Sequence, residues 1–118
     1  MATGALHQAL IEQRKRTKVN IIVSTGSARD THQIACLIAF GATSVYPWLA
    51  YQTILDLSHK KELKGDSFEN CAKYRKGINK GLLKIISKLG ISLISSYRGS
   101  QLFEIVGLSN EVVDKCFT

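Results

Sequence analysis

Residues 21–46, IIVSTGSARDTHQIACLIAFGATSVY, decide the fold prediction. The segment opens on a short run of branched apolar residues, which is typical of a buried β-strand. Small and polar residues then allow a turn, and Ser27 or Asp30 can cap a helix that runs to Gly41. A second short β-prone run follows that glycine. A strand, a helix and a second strand in this order predict a parallel pair joined by a crossover helix.

The same order of elements continues along the chain. Residues 42–47 are predicted to form the second strand and residues 48–63 the helix after it. A long helix is predicted over residues 68–89 and a third strand over residues 91–96. The remaining predicted helices lie at residues 2–13, 97–107 and 109–117. The fold prediction is α/β, with a partial parallel sheet of about three strands and crossover helices in a single incomplete domain over residues 1–118.

One rim of the predicted sheet is the best candidate for a functional site, because loops at the carboxyl ends of parallel strands carry function in such folds. The candidate residues, for a rim site or for contacts between domains, are Ser24, Thr25, Arg29, Tyr46, Tyr97 and Arg98. The loop STGSAR is small and polar, as a phosphate-binding loop is, but it matches neither the dinucleotide fingerprint nor the P-loop. We therefore favour a capped helix start for this loop, and pairing with carboxylates for the two arginines.

The sequence contains no recognisable catalytic, cofactor-binding or metal-binding set. The three histidines fall on three different predicted helices, so no metal-ligand spacing is present. Cys36, Cys71 and Cys116 are widely spaced and include no CxxC pair, so neither a disulfide framework nor a zinc site is expected. We predict buried thiols in a reducing, cytoplasmic compartment. Residues 1–10 lack the charged start and long apolar run of a signal peptide, and the longest apolar runs are too short to cross a bilayer, so a membrane is not an expected partner.

The basic segments of the chain have two interpretations. Residues 77–90, GINKGLLKIISKLG, place lysines on one arc of a helix and Ile and Leu on the opposite arc. Such a helix suits a nucleic-acid or membrane surface, and equally a helix packed on a sheet with its lysines in water. The formal net charge of +7 permits an acidic partner without requiring one. We favour the packed helix, and we interpret the run RKRTK at residues 14–18 as a solvated turn.

Two longer segments resemble a known family. They are NIIVSTGSARDTHQIACLIAFGATSVYPWLAYQTI at residues 20–54 and YRKGINKGLLKIISKLGISLISSYRGSQLFEIVGL at residues 74–108. They are similar to the later part of the central domain of the glutamate synthase large subunit, in its bacterial NADPH-dependent form. The motifs SARD, FGAT, YP, LAY, INKGL, SKLGIS, SYR and LFE occur in the family's order and spacing. The resemblance covers residues 3–117.

The resemblance implies a role within a larger enzyme. In that family one polypeptide joins a glutamine amidotransferase domain, the central domain, an FMN-binding barrel with an iron–sulfur cluster, and a β-helix. Ammonia released from glutamine reaches 2-oxoglutarate, and reduced FMN reduces the imine to glutamate, with NADPH acting through a partner subunit. The central domain connects the catalytic domains and helps to enclose the ammonia path. The resemblance therefore implies a structural element, with no catalytic residues or cofactor of its own and with the remaining synthase domains as partners.

The chain departs from the family pattern at several positions. The family usually has Glu at Ser24, Pro at Thr31 and a second His at Gln33. We interpret these changes as relaxed constraint, and we expect a truncated or stand-alone piece of the central domain. Unpaired strand edges would then favour self-association. The alternative function is a basic binding module that uses the lysine face of the helix at residues 68–89 for nucleic acid or an acidic protein.

Overall fold

Helices dominate the computed structural model, which describes residues 1–117. In chain order the helices are α1 Ala2–Glu12, α2 Thr31–Ala39, α3 Trp48–His59, α4 Ser67–Lys88, α5 Ile94–Tyr97 and α6 Asn110–Cys116. A 3-10 turn, Arg16–Lys18, precedes the strands, which are β1 Ile22–Ser24 and β2 Ser44–Tyr46. The predicted α/β organisation is therefore present, with a larger share of helix than the sequence suggests.

The two strands pair in parallel, and α2 is the crossover between them. The register places Ile22 opposite Ser44, Val23 opposite Val45, and Ser24 opposite Tyr46. The central valines are partly buried, while their flanking residues are exposed. The predicted strand–helix–strand unit is confirmed, although each strand is only three residues long.

The third predicted strand is not found in residues 1–117, because Ile94–Tyr97 forms the short helix α5. This turn carries Tyr97 into the core, where none of its surface is exposed. The hydroxyl of Tyr97 donates a hydrogen bond to the carbonyl of Ala35 at 3.2 Å. We therefore attribute the helical turn to the burial of this large aromatic side chain, which outweighs the strand-like composition of the segment. The helix predicted over residues 97–107 is also absent, since Gln101 has a φ of 55°, which an α-helix does not accommodate.

The hydrophobic core is built around α2. Its buried members are Ala28, Ile34, Ile38, Ala39, Ile86 and Tyr97. α4 packs along α2 through Ile78, Leu82 and Ile86, while the lysines of α4 are exposed. α1 packs against α6, and α3 packs against α4. The packed-helix interpretation of α4 is confirmed.

One face of the small sheet is largely exposed in the described structure. We call it the outer sheet face, and it consists of Ile22, Ser24, Ser44 and Tyr46, which alternate with the half-buried valines along the two strands. Ile22 is 72% exposed and Tyr46 is 53% exposed. Parallel sheets are normally covered by helices on both faces. α2 packs against the opposite side of this sheet, and Tyr51 of α3 contacts the outer sheet face at Tyr46.

α4 approaches the start of α2 closely at Gly81. A methyl group on Gly81 would lie 2.6 Å from Cγ2 and Oγ1 of Thr31 and 3.1 Å from its Cβ. A methyl group on Gly77, one turn earlier, would have no atom within 4 Å. Two glycines on the same helix therefore differ in whether they can accept a side chain.

We expect Gly81→Ala to lower the free energy of unfolding by about 1 kcal/mol. Alanine favours a helix over glycine by about 1 kcal/mol, but overpacking against the stiff Thr31 side chain costs about 1–3 kcal/mol. Gly77→Ala is the matched control, and it should raise the free energy of unfolding by up to about 1 kcal/mol. Urea denaturation of both variants measures the difference. Equal effects at the two positions would show that the close approach does not limit packing.

Candidate functional site

The carboxyl ends of the two strands meet as the sequence predicts. Ser24 and Tyr46 are register partners at the ends of β1 and β2. The backbone N–H of Thr25 donates to the carbonyl of Tyr46 at 3.1 Å, which extends the pairing by one residue. Arg29 follows in the same loop and its side chain is exposed. Four of the six predicted rim residues therefore lie at one end of the sheet.

The loop after β1 uses its polar groups to start α2. Oδ1 of Asp30 accepts a hydrogen bond from the backbone N–H of Gln33 at 2.8 Å. Oε1 of Gln33 in turn accepts from the backbone N–H groups of Arg29, at 2.8 Å, and Asp30, at 3.3 Å, which completes a capping box. Oγ1 of Thr25 accepts from the backbone N–H of Ser27 at 3.1 Å. Four backbone N–H groups, those of Ser27, Arg29, Asp30 and Gln33, are thus occupied within the loop and the first turn of α2, which supports a structural role for the loop.

Aromatic side chains connect the rim to α4. Tyr46 stacks on Tyr51 with ring centroids 6.0 Å apart, and Tyr51 meets the edge of Tyr74 at 5.4 Å. The Tyr74 hydroxyl donates to the carbonyl of Arg29 at 2.8 Å. These contacts fasten the rim to the long helix.

The other two predicted rim residues lie elsewhere. Tyr97 sits beside the middle of α2, as its bond to Ala35 shows. The backbone N–H of Gly99 donates to the carbonyl of Ala39 at 2.7 Å, at the end of α2. Because α2 runs from the carboxyl ends of the strands back to their amino ends, Arg98 lies at the opposite end of the sheet from Ser24. The predicted rim was wrong at these two positions because α5 replaces the third strand.

The arginines also differ from their predicted pairing with carboxylates. Among residues 1–117 the ion pairs are Lys60–Asp56, Lys73–Glu69 and Lys115–Glu111. Neither Arg29 nor Arg98 takes part in one of these pairs.

A second group of polar side chains lies at the amino ends of the strands. We call it the amino-end cluster, and it consists of His7, Arg16 and Arg98. Nε of Arg16 donates to Nδ1 of His7 at 2.8 Å. The other guanidinium nitrogens of Arg16 donate to the carbonyls of Val19, at 2.9 Å, and Gly41, at 2.8 Å. The sequence offered little sign of this cluster, because Arg16 belongs to the run that we interpreted as a solvated turn.

The cluster carries positive charge and is partly buried. Burial, followed by the nearby charges of Arg16 and Arg98, lowers the pKa of His7. Burial and the charge of Arg98 also lower the pKa of Arg16. Because Nδ1 of His7 accepts the Arg16 hydrogen bond, the neutral ring carries its proton on Nε2.

The lowered pKa of His7 predicts a pH-dependent stability. The unfolded chain takes up a proton near the ordinary value of 6.5, while folded His7 resists protonation. The contribution of His7 to the free energy of unfolding is therefore fully present above about pH 6.5. It is lost as the pH falls through that value towards the lower pKa of His7 in the folded state. Urea denaturation at steps between pH 7.5 and pH 5 should show this loss. His7→Gln should reduce the slope of the unfolding free energy against pH. A slope that His7→Gln does not alter would contradict the assignment.

A cysteine and a histidine meet on α2 without forming a reactive pair. Sγ of Cys36 lies 3.7 Å from Nε2 of His32. Burial, with a smaller contribution from the charge of Asp30, raises the pKa of the Cys36 thiol. The thiol is therefore held in its protonated, weakly nucleophilic form.

The potential metal-ligand side chains of residues 1–117 are dispersed. No three or more His, Cys, Asp or Glu side chains in this range are grouped so that they could hold a metal ion. None of the described helices is long and apolar enough to cross a membrane.

Comparison with known proteins identifies the family to which this chain is similar. The family model "Glutamate synthase central domain" matches residues 1–109. The large chain of NADPH glutamate synthase from Bacillus subtilis is 46% identical over 118 residues, which are 100% of this chain and 8% of the relative. Ferredoxin-dependent glutamate synthase from Cyanidium caldarium is 44% identical, over 99% of this chain and 8% of the relative. NADH glutamate synthase from Schizosaccharomyces pombe is 38% identical, over 98% of this chain and 6% of the relative.

The match extends through α1, the strand–helix–strand unit, α4 and α5, so it includes both the rim and the amino-end cluster. The chain spans less than a tenth of the length of these relatives. On the extent of these matches, the chain belongs to the glutamate synthase central domain family.

Proposed function

We propose that the chain is a structural, connecting element of a glutamate synthase and that it is not catalytic by itself. Family membership supports this role, and so do the self-satisfied rim loop and the protonated Cys36 thiol. The observation that carries the proposal is the outer sheet face, since parallel sheets are normally covered on both faces and this one leaves Ile22 and Tyr46 largely exposed.

The outer sheet face has the properties of a surface that becomes buried when another part of the protein packs on it. Ile22, a branched apolar residue at the amino end of this face, is 72% exposed, and Tyr46, at its carboxyl end, is 53% exposed. Covering an apolar side chain of this kind contributes about 1.5–3 kcal/mol. The two-stranded sheet also has two open edges. In the complete synthase, we propose, further strands join these edges and other elements cover the outer sheet face.

The proposed role requires no cofactor on this chain. We place the FMN and iron–sulfur chemistry of the synthase in its other domains, which are the proposed partners of the outer sheet face. The three cysteines are unpaired, which fits the reducing environment of the cytoplasm. The lysine face of α4 receives no support as a nucleic-acid surface, because Lys73 pairs with Glu69 at 2.8 Å and the relatives are glutamate synthases.

A chimera tests the proposal. The stretch of the Bacillus subtilis large chain that aligns with this chain is replaced by the present sequence, and the formation of glutamate is measured. We expect the chimera to be active. Ile22→Asp within the chimera should lower activity by about tenfold or more, because a buried charge without a partner costs several kcal/mol.

The matched control is Gln52→Asp, which makes the same charge change at an exposed position of α3. It should leave the activity of the chimera unchanged. In the isolated chain, Ile22→Asp should be tolerated because the residue is exposed there. A folded chimera whose activity is the same with Ile22 and with Asp at this position would refute the proposed interface.

A further inference from the structure

The edge of β2 that faces away from β1 pairs with no strand among residues 1–117. On the paired side, the N–H of Ser44 donates to the carbonyl of Ile21 at 3.3 Å, and the carbonyl of Tyr46 accepts from the N–H of Thr25 at 3.1 Å. Alternate residues of a parallel strand direct their backbone groups to opposite neighbours. The N–H and the carbonyl of Val45 therefore point to the open edge, where another strand could pair with them.

A groove lies along this open edge, and we call it the edge groove. It has a volume of about 290 Å³. Residues 43–45 of β2 form one wall and α4 forms another. A strand added to β2 would lie about 4.8 Å from it and would turn alternate side chains into this groove. The apolar side chains that line the groove are Ile34 and Ile38 of α2, Val45 of β2, Ile78 and Leu82 of α4, and Ile94 of α5.

The apolar lining of the edge groove is only partly covered. Ile94 is 50% exposed, and Val45, Ile78 and Leu82 pack on the core without being fully buried. Apolar side chains beside an unpaired strand edge form a template for an extended segment, whose backbone pairs with the strand and whose side chains enter the groove. The groove therefore has both properties that the addition of a strand requires.

The charged groups around the edge groove are basic. Arg75 of α4 lines the groove, and it takes part in none of the ion pairs among residues 1–117. No Asp or Glu occurs between Glu69 and Glu104, and the formal net charge of the chain is +7. A second copy of the chain would bring the same basic helix to the groove, which like-charge repulsion opposes. A carboxylate beside Arg75 would instead form a charge-assisted hydrogen bond.

We propose that the edge groove seats an extended segment from another part of the synthase polypeptide. The segment pairs with β2 as a third strand, turns apolar side chains onto the lining of the groove, and places a carboxylate beside Arg75. This inference rests on the proposed connecting function, because the segment comes from the rest of the synthase. The chain spans 8% of the Bacillus subtilis relative, so most of such a polypeptide lies outside the chain.

Hydrogen exchange at the Val45 amide tests the proposal in the isolated chain and in the Bacillus subtilis chimera. We expect fast exchange in the isolated, monomeric chain and exchange slowed by about tenfold or more in the chimera, because pairing protects an amide. The amide of Thr43, which already bonds to the carbonyl of Ile21 at 2.8 Å, is the internal reference. If the chimera does not fold, the amide aligned with Val45 in the unmodified Bacillus subtilis chain gives the same measurement.

Asn79→Trp fills the edge groove from an exposed position of α4. In the chimera this variant should return the Val45 amide to fast exchange, whereas the isolated chain should stay folded by near-UV circular dichroism. The matched control is Gln52→Trp, at an exposed position of α3 outside the groove lining, and it should keep the protection. Arg75→Glu should reduce the protection of Val45, because it places a carboxylate against the proposed carboxylate of the segment.

Four results would each overturn the proposal. They are equal exchange of Val45 in the isolated chain and the folded chimera, protection that survives Asn79→Trp, protection unchanged by Arg75→Glu, and a protected Val45 in an isolated chain that light scattering shows to be a dimer. The last result would assign the groove to a second copy. Exchange requires only that the chimera is folded, so a folded but inactive chimera would count against the connecting function and not against the edge groove.

Discussion

Tyr97→Ala is expected to lower the free energy of unfolding by about 3–5 kcal/mol, the range for removal of a buried aromatic side chain. Tyr97 has no exposed surface. Its ring meets the edge of Phe103 with centroids 6.5 Å apart, and its hydroxyl bonds to the carbonyl of Ala35. Truncation leaves a cavity in the centre of the core and an acceptor on α2 without a partner. Urea denaturation followed by far-UV circular dichroism measures the loss.

Two companion variants separate the contribution of the Tyr97 hydroxyl from the contribution of the buried ring. Tyr97→Phe keeps the ring and removes the hydroxyl, so it should cost only about 1 kcal/mol. Tyr46→Ala removes the same side chain from an exposed strand end and should have a small effect. A loss for Tyr97→Ala no greater than that for Tyr46→Ala would contradict the position of Tyr97 in the core.

Gly41→Ala is expected to lower the free energy of unfolding by about 3 kcal/mol. Gly41 has a φ of 114°, which costs a residue with a side chain about 1–2 kcal/mol. The added methyl group would also lie 2.5 Å from Cγ and Nδ1 of the His7 ring. Displacing that ring adds an overpacking cost of about 1–3 kcal/mol and disturbs the bonds of Arg16 to His7 and to the carbonyl of Gly41. Urea denaturation measures the total.

Gly90→Ala is the control for backbone strain alone. Gly90 also has a positive φ, of 70°, but a methyl group there would meet no atom within 4 Å. This variant should cost about 1 kcal/mol. Adding His7→Ala to Gly41→Ala should recover part of the Gly41 loss, since it removes the ring that the methyl group meets. Equal losses at Gly41 and Gly90 would show that His7 does not pack on Gly41.

The sequence predicted the elements whose signals are local. Short β-prone runs predicted β1 and β2. Asp30 was one of the two proposed caps, and it accepts a hydrogen bond from the first turn of α2. The separation of lysines from apolar residues predicted α4 and its buried side. Each of these features depends on residues within a few positions of each other in the chain.

The features that the sequence did not predict depend on distant contacts. ISLISS has the composition of a strand, yet Ile94–Tyr97 is helical because Tyr97 is buried against Ala35, 62 residues earlier in the chain. The bond between Arg16 and the carbonyl of Gly41 spans 25 residues, and no local pattern distinguishes Arg16 from the other basic residues of its run. The rim prediction therefore failed at Tyr97 and Arg98, and the amino-end cluster was missed.

The central claim is that the outer sheet face is covered when the chain is part of a glutamate synthase. Hydroxyl-radical footprinting of Tyr46 tests it most directly, because this ring is 53% exposed in the chain and lies on that face. Tyr97, which has no exposed surface, gives the unreactive baseline. The account predicts that Tyr46 reacts readily in the isolated chain and is protected several-fold in the Bacillus subtilis chimera. Equal reactivity of Tyr46 in the isolated chain and in an active chimera would contradict it.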